Sequence, residues 1–571
     1  MMPNAAPSTI TTDIAIIGSG AAGLMAAVHA AVGDPDLDIT VVSKGAIARS
    51  GCSIMTLGFN AAVGPGDSVE AHFADLVRRG EFLNDQQLAW TLASAAPEMI
   101  EELGRYGCLF DRTPDGALTV LPFAGQSVKR HVARREQTGL EIMSRLRDQV
   151  LRMEPRLLGD VRALDLLRGD SGDVIGVLLL DMRSGEPIVL RARVVVVATG
   201  GAATIYRVAS PAREKTGDGL AMCLRAGAEL RDMEMMQFLS VGLAAGQSRI
   251  SGLLLSEKLR FGGGLLTNLA GHRFMADSAP EAMEKANLEQ IVRASYTEIV
   301  EGRGWQDDGV LLDVSHLGAD VVTARYPELV ERSRLAGHDL TTGPVPVAPT
   351  SHFQIGGVVI DADCQSTLPG LLVAGEDAGG VHGAAWNGGN GIAESTIFGA
   401  RAGDHAARLA AERPLQDATA GQMSVMLERH HAPLGRKQGA EPASVADRLK
   451  EVMWHGAGPV RTEAGLRRAA ATIDELRDEA TQTMAPPMVE SNPRWHEALD
   501  VANQIEVAAV VVQSALERAE TRGVHFRSDH PERDDAGWLR YIVARTVADR
   551  LELDTRAVEL DRMAPDQGDG A

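Results

Sequence analysis

The chain has 571 residues, which is longer than one hydrophobic core usually supports, so two or three domains are predicted. Its composition, 45% hydrophobic with 60 glycines and only 4% aromatic residues, favours a glycine-rich α/β enzyme over a disordered or fibrous protein. A formal net charge of −21 argues against a nucleic-acid partner, because phosphate binding favours a basic surface.

Four scattered cysteines, Cys52, Cys108, Cys223 and Cys364, lack the close spacing of zinc or iron–sulfur ligands, so no metal site is predicted in this chain. Residues 1 to 11 lack the basic start and apolar core of a signal peptide. The sequence contains no run of about 18 or more apolar residues, so no direct membrane span is predicted. We therefore predict a cytoplasmic protein, with peripheral attachment to a membrane through a partner as the alternative.

The first motif runs from Thr12 to Ala27, where a short apolar strand breaks into glycines and continues as a helix. Gly18 permits the tight turn, Gly20 lets the backbone approach a pyrophosphate, and Gly23 lets the helix pack against the strand. The helix N-terminus then faces the phosphate charge. A second apolar strand at 38–42 has the spacing of a βαβ unit, so a dinucleotide site is predicted.

The residues after the second strand are Ser43-Lys44-Gly45, where a typical NAD site would offer an acidic side chain to the ribose. This difference counts against NAD. The small, polar segments 48–53 and 57–60 follow, and they can pass close beside a flat ring. An ordinary loop is the alternative interpretation of these segments.

Two further apolar strands are predicted to end near this motif. Residues 193–201 form a continuous apolar run that ends in Thr-Gly-Gly, which indicates a buried parallel strand. Residues 371–377 form another, ending in Gly-Glu-Asp, and glycines then crowd residues 379–391 before a helix. Between them Asp218 opens a helix, either as its cap or as a site residue.

The domain organisation follows from changes of periodicity along the chain. Helical segments interrupt the parallel-sheet pattern between about residues 235 and 345, and the sequence is largely helical beyond residue 409. We predict a nucleotide-binding domain at 1–235 and 346–410, an inserted domain at 236–345, a helical domain at 411–562 and a disordered tail at 563–571.

Short motifs spread over nearly the whole chain carry a family resemblance. They are Gly18–Gly23, Val42–Gly45, Val197–Gly201, Thr216–Gly219, Arg231–Glu234, Pro349–Gly357, Ala374–Asp377, His382–Ala384, Glu520–Arg527 and Pro531–Asp535. The chain resembles the flavoprotein subunits of the succinate dehydrogenase/fumarate reductase family, which includes L-aspartate oxidase and the α subunit of adenylylsulfate reductase. The resemblance implies an α/β fold with a Rossmann-like FAD-binding domain, an inserted α+β capping domain and a C-terminal helical domain.

The resemblance also implies that the cofactor is FAD. The cofactor-binding residues that it indicates are Gly18, Gly20, Ala21, Ala22, Gly23, Ser43, Lys44, Ser50, Gly51, Cys52, Ser53, Gly58, Ala198, Thr199, Gly200, Asp218, Glu376, Asn390, Gly391 and Ile392. Membrane-bound members attach the flavin to a histidine that follows an Arg-Ser pair, and Gly51 takes that place here. Non-covalent FAD is therefore predicted, with a thioether to Cys52 as a minor alternative.

The predicted substrate site departs from the family pattern at three positions. Leu239 replaces a substrate histidine, and Trp386 replaces an arginine. The proton-donating arginine of the capping domain aligns within Asn287-Leu288-Glu289, and Arg293 is the nearest arginine. Leucine and tryptophan cannot clamp a dicarboxylate, because that task needs a permanent charge and bidentate geometry.

Other substrate-site positions match the family. His352, Arg260 and Glu257 are the catalytic candidates, and Ser256, Leu239, Trp386 and His382 are the substrate-binding candidates. A structural role in the core is the alternative for His352 and Arg260.

The predicted function is an FAD-dependent oxidoreductase that moves two electrons between the flavin and a small anionic substrate, which need not be a C4 dicarboxylate. Three alternatives stay open. The first is an adenylylsulfate-reductase-like protein that works with a separate ferredoxin-like iron–sulfur partner. The others are an L-aspartate-oxidase-like enzyme and a catalytically silent flavoprotein that serves assembly or electron relay.

Overall fold

The computed structural model describes residues 7–123, 125–246, 248, 250–306, 308–548 and 550–565. Its strands in chain order are β1 (Ser8–Ile17), β2 (Ile39–Ser43), β3 (Phe59–Asn60), β4 (Val120–Leu121), β5 (His131–Val132), β6 (Arg156–Gly159), β7 (Val161–Arg168), β8 (Val174–Asp181), β9 (Pro187–Val197), β10 (Leu230–Arg231), β11 (Met236–Leu243), β12 (Leu265–Thr267), β13 (Val310–Asp313), β14 (Val345–Gln354), β15 (Gly357–Val358), β16 (Leu371–Val373), β17 (Arg540–Val547) and β18 (Arg550–Ala557).

The helices are α1 (Ala21–Gly33), α2 (Val69–Arg79), α3 (Gln86–Arg105), α4 (Thr138–Met153), α5 (Asp218–Arg225), α6 (Lys258–Phe261), α7 (Met275–Ser278), α8 (Leu288–Val300), α9 (Ala319–Arg325), α10 (Pro327–Leu335), α11 (Asn390–Glu412), α12 (Ala420–His431), α13 (Pro442–Ala457), α14 (Glu463–Thr481), α15 (Pro493–Glu517) and α16 (Asp535–Trp538). Short single turns of 3₁₀-helix connect some of these elements.

The largest sheet has the strand order β6-β2-β1-β9-β8-β7, with β16 paired to β9. The pairs β6–β2, β2–β1, β1–β9 and β9–β16 are parallel, whereas β9–β8 and β8–β7 are antiparallel. Ile17 lies opposite both Val42 and Val197, so three apolar strands end side by side. The two buried parallel strands predicted from the sequence are confirmed as β9 and β16.

The first βαβ unit depends on two close approaches of the backbone. Gly18 has a φ of +117°, and a Cβ there would lie 2.0 Å from the carbonyl oxygen of Ala198. A Cβ on Gly23 would lie 2.0 Å from the carbonyl oxygen of Gly18. Only glycine fits at both positions, because any side chain would overlap backbone that cannot move aside. The turn from β1 into α1 is therefore fixed against the end of β9.

The inserted region is organised around a four-stranded sheet with the order β11-β14-β13-β12, all antiparallel. Helix α8 packs against β11 and β14. Strand β14 starts at Val345 and pairs with both β11 and β13, so this sheet crosses the predicted domain boundary at 345/346. The predicted boundary was placed where the apolar periodicity of the sequence changes, and that periodicity carries no information about which strands pair.

The C-terminal part is helical from α12 to α15, as predicted, and then ends in a β-hairpin that the sequence analysis missed. Strands β17 and β18 pair along their whole length, and β17 joins β10 and β15 in a second four-stranded sheet. Ile542 and Ala544 are buried while residues on β18 alternate in exposure. This alternation was the available strand signal.

Helix α15 is the one helix of the described residues that is long and apolar enough to cross a bilayer, and 72% of its most apolar stretch is buried inside the fold. It packs against α13 and α14, so its apolar character serves the helical core.

The predicted disordered tail lies mostly outside the described residues, which end at 565. Within the described part, the backbone of Met563 makes two hydrogen bonds to the side-chain amide of Gln86.

Candidate functional site

A cleft lies at the carboxyl ends of β1, β2, β9 and β16, where an open α/β sheet binds its ligands. It has an empty volume of about 940 Å³. The predicted cofactor residues that line it are Gly18, Gly20, Ala21, Ala22, Ser43, Lys44, Ser50, Gly51, Cys52, Ser53, Ala198, Thr199, Gly200, Asp218 and Glu376. Five segments that are distant in sequence therefore meet in one place.

The N-terminus of α1 opens into this cleft without a side-chain cap. Gly20 is its N-cap residue, and the first turn contains no acidic side chain. The backbone N–H of Ala21 donates to Oγ of Ser53 at 3.2 Å, and a Cβ on Gly20 would have only that same oxygen within 4 Å. Free backbone donors, the positive end of the helix dipole and open space together fit a pyrophosphate.

A buried charge cluster forms at the end of β2. Nζ of Lys44 donates to Oγ1 of Thr216 and to Oδ2 of Asp218, both at 2.7 Å, and to Asp500 at 3.2 Å. Arg162 also contacts both carboxylates. Burial opposes ionisation of Asp218, but Lys44 and Arg162 hold its pKa below the usual range.

Asp218 is the first residue of α5, whose N-cap is Gly217 without a side-chain cap bond, so the capping interpretation is wrong. The carboxylate instead binds Lys44 and receives a hydrogen bond from Asn503 at 2.7 Å. Helix α5 thus brings a carboxylate to the end of β2, next to Lys44. The sequence analysis also missed Asp500 and Arg162, which come from α15 and β7.

A second buried ion pair joins Lys215 and Glu376 on the lining of the cleft. Glu376 also accepts a 2.8 Å hydrogen bond from the backbone N–H of Gln354. Burial would lower the pKa of Lys215, but Glu376 holds it above its usual value. Burial raises the pKa of the Cys52 thiol, and Lys215 offsets this only in part. Cys52 is therefore a neutral thiol.

The remaining predicted cofactor residues do not line the main cleft. Gly23 packs α1 against β1, and Ile392 is buried in the core. A Cβ on Gly58 would overlap the ring of His131 at 2.1 Å. Asn60 donates to Oδ1 of Asn390 and contacts Nδ1 of His131, each at 2.8 Å. Gly58 and Asn390 thus lie in a buried polar network behind the cleft.

The substrate candidates on β14 and the glycine-rich loop form an aromatic cluster. Nδ1 of His352 lies 2.8 Å from Oγ of Ser210. Burial, with a contribution from Lys215, lowers the pKa of His352 to about 3. The ring of Trp386 lies 5.3 Å from that of His352 and is stacked on Phe353. His352 is therefore a neutral hydrogen-bonding group beside an aromatic wall.

His382 lies behind this wall. Its Nε2 is 3.0 Å from a carboxylate oxygen of Glu394, both side chains are buried, and its ring meets Phe353 edge-on. Gly391 also abuts the wall, since a Cβ there would lie 3.2 Å from the Phe353 ring.

The capping-region candidates form a second charged group. Nε of Arg260 donates to Glu257 at 2.5 Å, and its Nη1 donates to the carbonyl oxygen of Glu284. Ser240 donates to Glu257 through both its backbone N–H and its hydroxyl. Ser256 accepts from the backbone N–H of Lys258, so it contributes to the start of α6.

Gln237 on β11 contacts Trp386 and a residue next to Leu288. Oε1 of Gln237 accepts from the backbone N–H of Trp386 at 3.1 Å, and its Nε2 donates to Glu289 at 3.2 Å. Leu239 lies two residues further along β11, and Leu288 precedes Glu289 at the start of α8. The structure thus brings Trp386 and the neighbours of Leu239 and Leu288 together.

An arginine that the sequence analysis missed lies at this same place. Both Nη atoms of Arg79, the last residue of α2, donate to the carboxylate of Glu289, at 2.9 and 2.5 Å. Its Nε points to the carbonyl oxygen of Trp386 at 3.4 Å. Arg293 instead lies over the ring of Phe526. In sequence, Arg79 is indistinguishable from the basic residues that commonly end helices.

The cleft, its uncapped helix N-terminus and the adjoining substrate region define a dinucleotide-dependent oxidoreductase. Residues 13–392 match the family model described as an FAD binding domain, and residues 446–569 match the one described as fumarate reductase flavoprotein C-term. The chain therefore belongs to the fumarate reductase/succinate dehydrogenase flavoprotein family, whose cofactor is FAD.

Individual relatives support this assignment. The chain is 38% identical over 524 residues to one subunit of the fumarate reductase (CoM/CoB) of Methanothermobacter marburgensis, covering 91% of this chain and 94% of the relative. Quinol fumarate reductase of E. coli superimposes with a TM-score of 0.91 at 30% identity, covering 98% of this chain and 99% of the other. Adenylylsulfate reductase of Archaeoglobus fulgidus, at 19% identity and a TM-score of 0.76 over 97% of both chains, shares the fold.

Proposed function

We propose that the protein transfers two electrons between FAD and a small anionic substrate that is not a C4 dicarboxylate. One observation carries this proposal. The guanidinium groups nearest the site, those of Arg260 and Arg79, are both bound to carboxylates of the chain itself. Leu239, Leu288 and Trp386 offer no charge, and Lys215 near His352 is paired with Glu376, so these described residues of the site do not supply the pair of free cations that a dicarboxylate requires.

The cofactor would lie in the main cleft, with its pyrophosphate at the N-terminus of α1, and it supplies the acceptance or donation of two electrons as a hydride. Lys44 and Asp218 would hold its polar end, and the Lys215–Glu376 pair would line the cleft further along. Gly51 in place of a histidine and the neutral Cys52 thiol support non-covalent binding.

The residues of the chain position the substrate and handle its proton. Neutral His352 can donate or accept one hydrogen bond through the ring nitrogen that does not face Ser210. Trp386 forms an aromatic wall beside it. Arg260, only 2% exposed, donates through Nε to Glu257, which is 20% exposed, so the carboxylate of Glu257 connects the buried guanidinium to the solvent side of the site.

We further propose that the electrons enter or leave through another protein. Among the residues that the structure describes, no group of three or more His, Cys, Asp or Glu side chains is arranged to hold a metal ion. We propose a separate ferredoxin-like iron–sulfur partner in the cytoplasm or peripheral to a membrane. The Methanothermobacter relative is named as one subunit of its enzyme, which supports an assembly of more than one chain.

Fumarate reduction is the second candidate function. The 38% identity to a fumarate reductase subunit favours it, as do His352, Ser256, Glu257 and Arg260 at matching positions. The same residues would serve a substrate with one carboxylate. The difference between the two candidates therefore lies in the second carboxylate alone.

Flavin spectra of the FAD-loaded protein test the proposal. The photoreduced protein is mixed under anaerobic conditions with propenoate, crotonate or fumarate, which share a carboxylate and differ in the group on C3, which is hydrogen, methyl or a second carboxylate. Aspartate and sulfite, which react with oxidised flavin, complete the panel and are added to the oxidised protein in a separate anaerobic arm. We expect flavin reoxidation by one of the singly charged acids to exceed that by fumarate at least about tenfold, in line with one lost charge-assisted contact.

Faster reoxidation by fumarate than by the other acids would overturn the proposal in favour of the second candidate. A spectral response to aspartate or sulfite would favour an L-aspartate-oxidase-like or an adenylylsulfate-reductase-like enzyme, respectively. An intact flavin that no member of the panel perturbs would indicate a catalytically silent flavoprotein. Yellow colour that stays with acid-precipitated protein would contradict non-covalent binding.

A further inference from the structure

We propose that the ion pair between Arg79 and Glu289 determines the charge selectivity of the substrate site. Glu289 acts as a carboxylate built into the protein. It occupies the guanidinium of Arg79 and thereby prevents a second substrate carboxylate from binding at the Trp386 end of the site. This inference rests on the proposed function, because it concerns the selectivity of the same site.

The geometry of the pair is that of a bound carboxylate ligand. Nη1 and Nη2 of Arg79 each donate to a different oxygen of Glu289, at 2.9 and 2.5 Å. This two-pronged arrangement is the one by which arginine recognises a carboxylate of any origin. With both Nη atoms on Glu289 and Nε directed at the carbonyl oxygen of Trp386, neither edge of the Arg79 guanidinium is open to a substrate carboxylate in bidentate geometry.

The pair lies at the substrate site and not at a remote surface. Glu289 accepts a hydrogen bond from Gln237, which in turn accepts one from the backbone of Trp386. Arg79 approaches the carbonyl oxygen of Trp386, whose ring lies 5.3 Å from that of His352. Three successive contacts thus connect the ion pair to the catalytic candidate.

Both members of the pair are charged and remain partly accessible. Burial opposes both charges, but each partner stabilises the other, so the pKa of Glu289 is lowered and that of Arg79 is raised. The side chains are 22% exposed for Arg79 and 12% for Glu289. If Glu289 lost its charge, a partly accessible guanidinium would be released beside Trp386.

An ion pair that only joins α2 to α8 would have a different signature. Its loss would lower stability without changing which anions bind. Glu298 provides the matched control, because it lies on the same helix, is also nearly buried, and pairs with Arg303. Glu298→Gln removes the same charge from α8 without touching Arg79.

The test measures the binding of succinate and of butyrate to the FAD-loaded protein by calorimetry, with flavin absorbance as a second readout. For Glu289→Gln we expect the dissociation constant of succinate to fall about 10- to 100-fold relative to the unsubstituted protein, while that of butyrate changes less than about threefold. Glu298→Gln should leave both constants within about twofold. Adding Arg79→Gln to Glu289→Gln should remove the gain.

The proposal is overturned if folded, FAD-loaded Glu289→Gln binds succinate no more tightly than the unsubstituted protein, or if the gain survives the additional loss of Arg79. If Glu289→Gln alone does not fold, two other variants are compared instead. One is the double variant Arg79→Gln/Glu289→Gln, which removes both charges. The other is Glu289→Asp, which moves the carboxylate back from Arg79. Succinate affinity must then be higher in Glu289→Asp. The ratio of dissociation constants between a variant and the unsubstituted protein does not depend on whether the unsubstituted protein reduces fumarate. A failure of this test is therefore distinguishable from a failure of the proposed function.

Discussion

The cofactor cleft and the substrate region of this protein are built on different principles. The shape of the cleft depends on the backbone. No side chain fits at Gly18, and Gly20 is the N-cap residue of a helix whose N-terminus must stay open. The substrate region is formed by side chains from separate elements, such as Arg79 from α2 and Glu289 from α8. A backbone-defined site tolerates few changes, whereas a site defined by side chains can acquire a new specificity through a few substitutions.

Gly18→Ala should have the largest effect, because it breaks the backbone-defined region. The new Cβ would lie 2.0 Å from the carbonyl oxygen of Ala198, at a φ of +117° that alanine rarely adopts. We expect a loss of about 3 kcal/mol or more in unfolding free energy and no retained FAD, measured by thermal denaturation and flavin absorbance. The control Gly104→Ala, with no atom within 4 Å, should be neutral or stabilising. Normal FAD content in Gly18→Ala would show that the turn is not rigid.

Asp218→Asn should have an intermediate effect, because it affects the side chains that line the rigid cleft. It leaves Lys44 and Arg162 with less compensation, and we expect a loss of about 2 to 3 kcal/mol together with weaker FAD binding. The pKa of Asp218 is held below its usual value of 3.8, so its contribution is present above about pH 3.8 and is lost as the pH falls further.

Chemical denaturation as a function of pH tests this prediction. The stability difference between the unsubstituted protein and Asp218→Asn should be constant near neutral pH and should shrink below about pH 3.8. Asp447→Asn, in an exposed pair with Lys450, is the control and should change stability by less than about 0.5 kcal/mol. A difference that stays constant down to the most acidic pH would show that Asp218 is not ionised by its neighbours.

Trp386→Arg should have the smallest effect, and it tests the substrate region instead of the cofactor cleft. It places a guanidinium where the family resemblance expects one, next to Gln237 and the Arg79–Glu289 pair. We expect fumarate affinity to rise about tenfold in a flavin absorbance titration, with FAD content unchanged. Trp386→Gln, which removes the ring without adding charge, should give no such gain. A loss of FAD would contradict the separation of the two regions.

The sequence identified segments that line the cleft, because the signals of these segments are local. A strand that ends in glycines and continues as a helix, as at Gly18 to Gly23, fixes a backbone path within a few residues. The ends of β9 and β16 were identified in the same way, and all three lie together on the cleft. The acidic partner of Lys44 was less accessible, since Asp218 and Asp500 lie far away in sequence.

The substrate region could be predicted only in part. Leu239, Leu288 and Trp386 were identified as departures from the family, and the structure connects their surroundings through Gln237. The roles proposed for them, and for His352 and Arg260, remain predictions. The β17–β18 hairpin was missed for a related reason, because its strands complete a sheet with β10, which is distant in sequence.

The sequence by itself determined the family and the FAD cofactor, because these depend on residue types at fixed spacings, and it predicted departures from the usual dicarboxylate clamp. Only the tertiary structure placed Arg79 against Glu289 and bound Arg260 to Glu257. Whether a cation is free or already neutralised depends on which charges the fold brings within hydrogen-bonding distance, and residues as far apart as 79 and 289 carry no such information in their order.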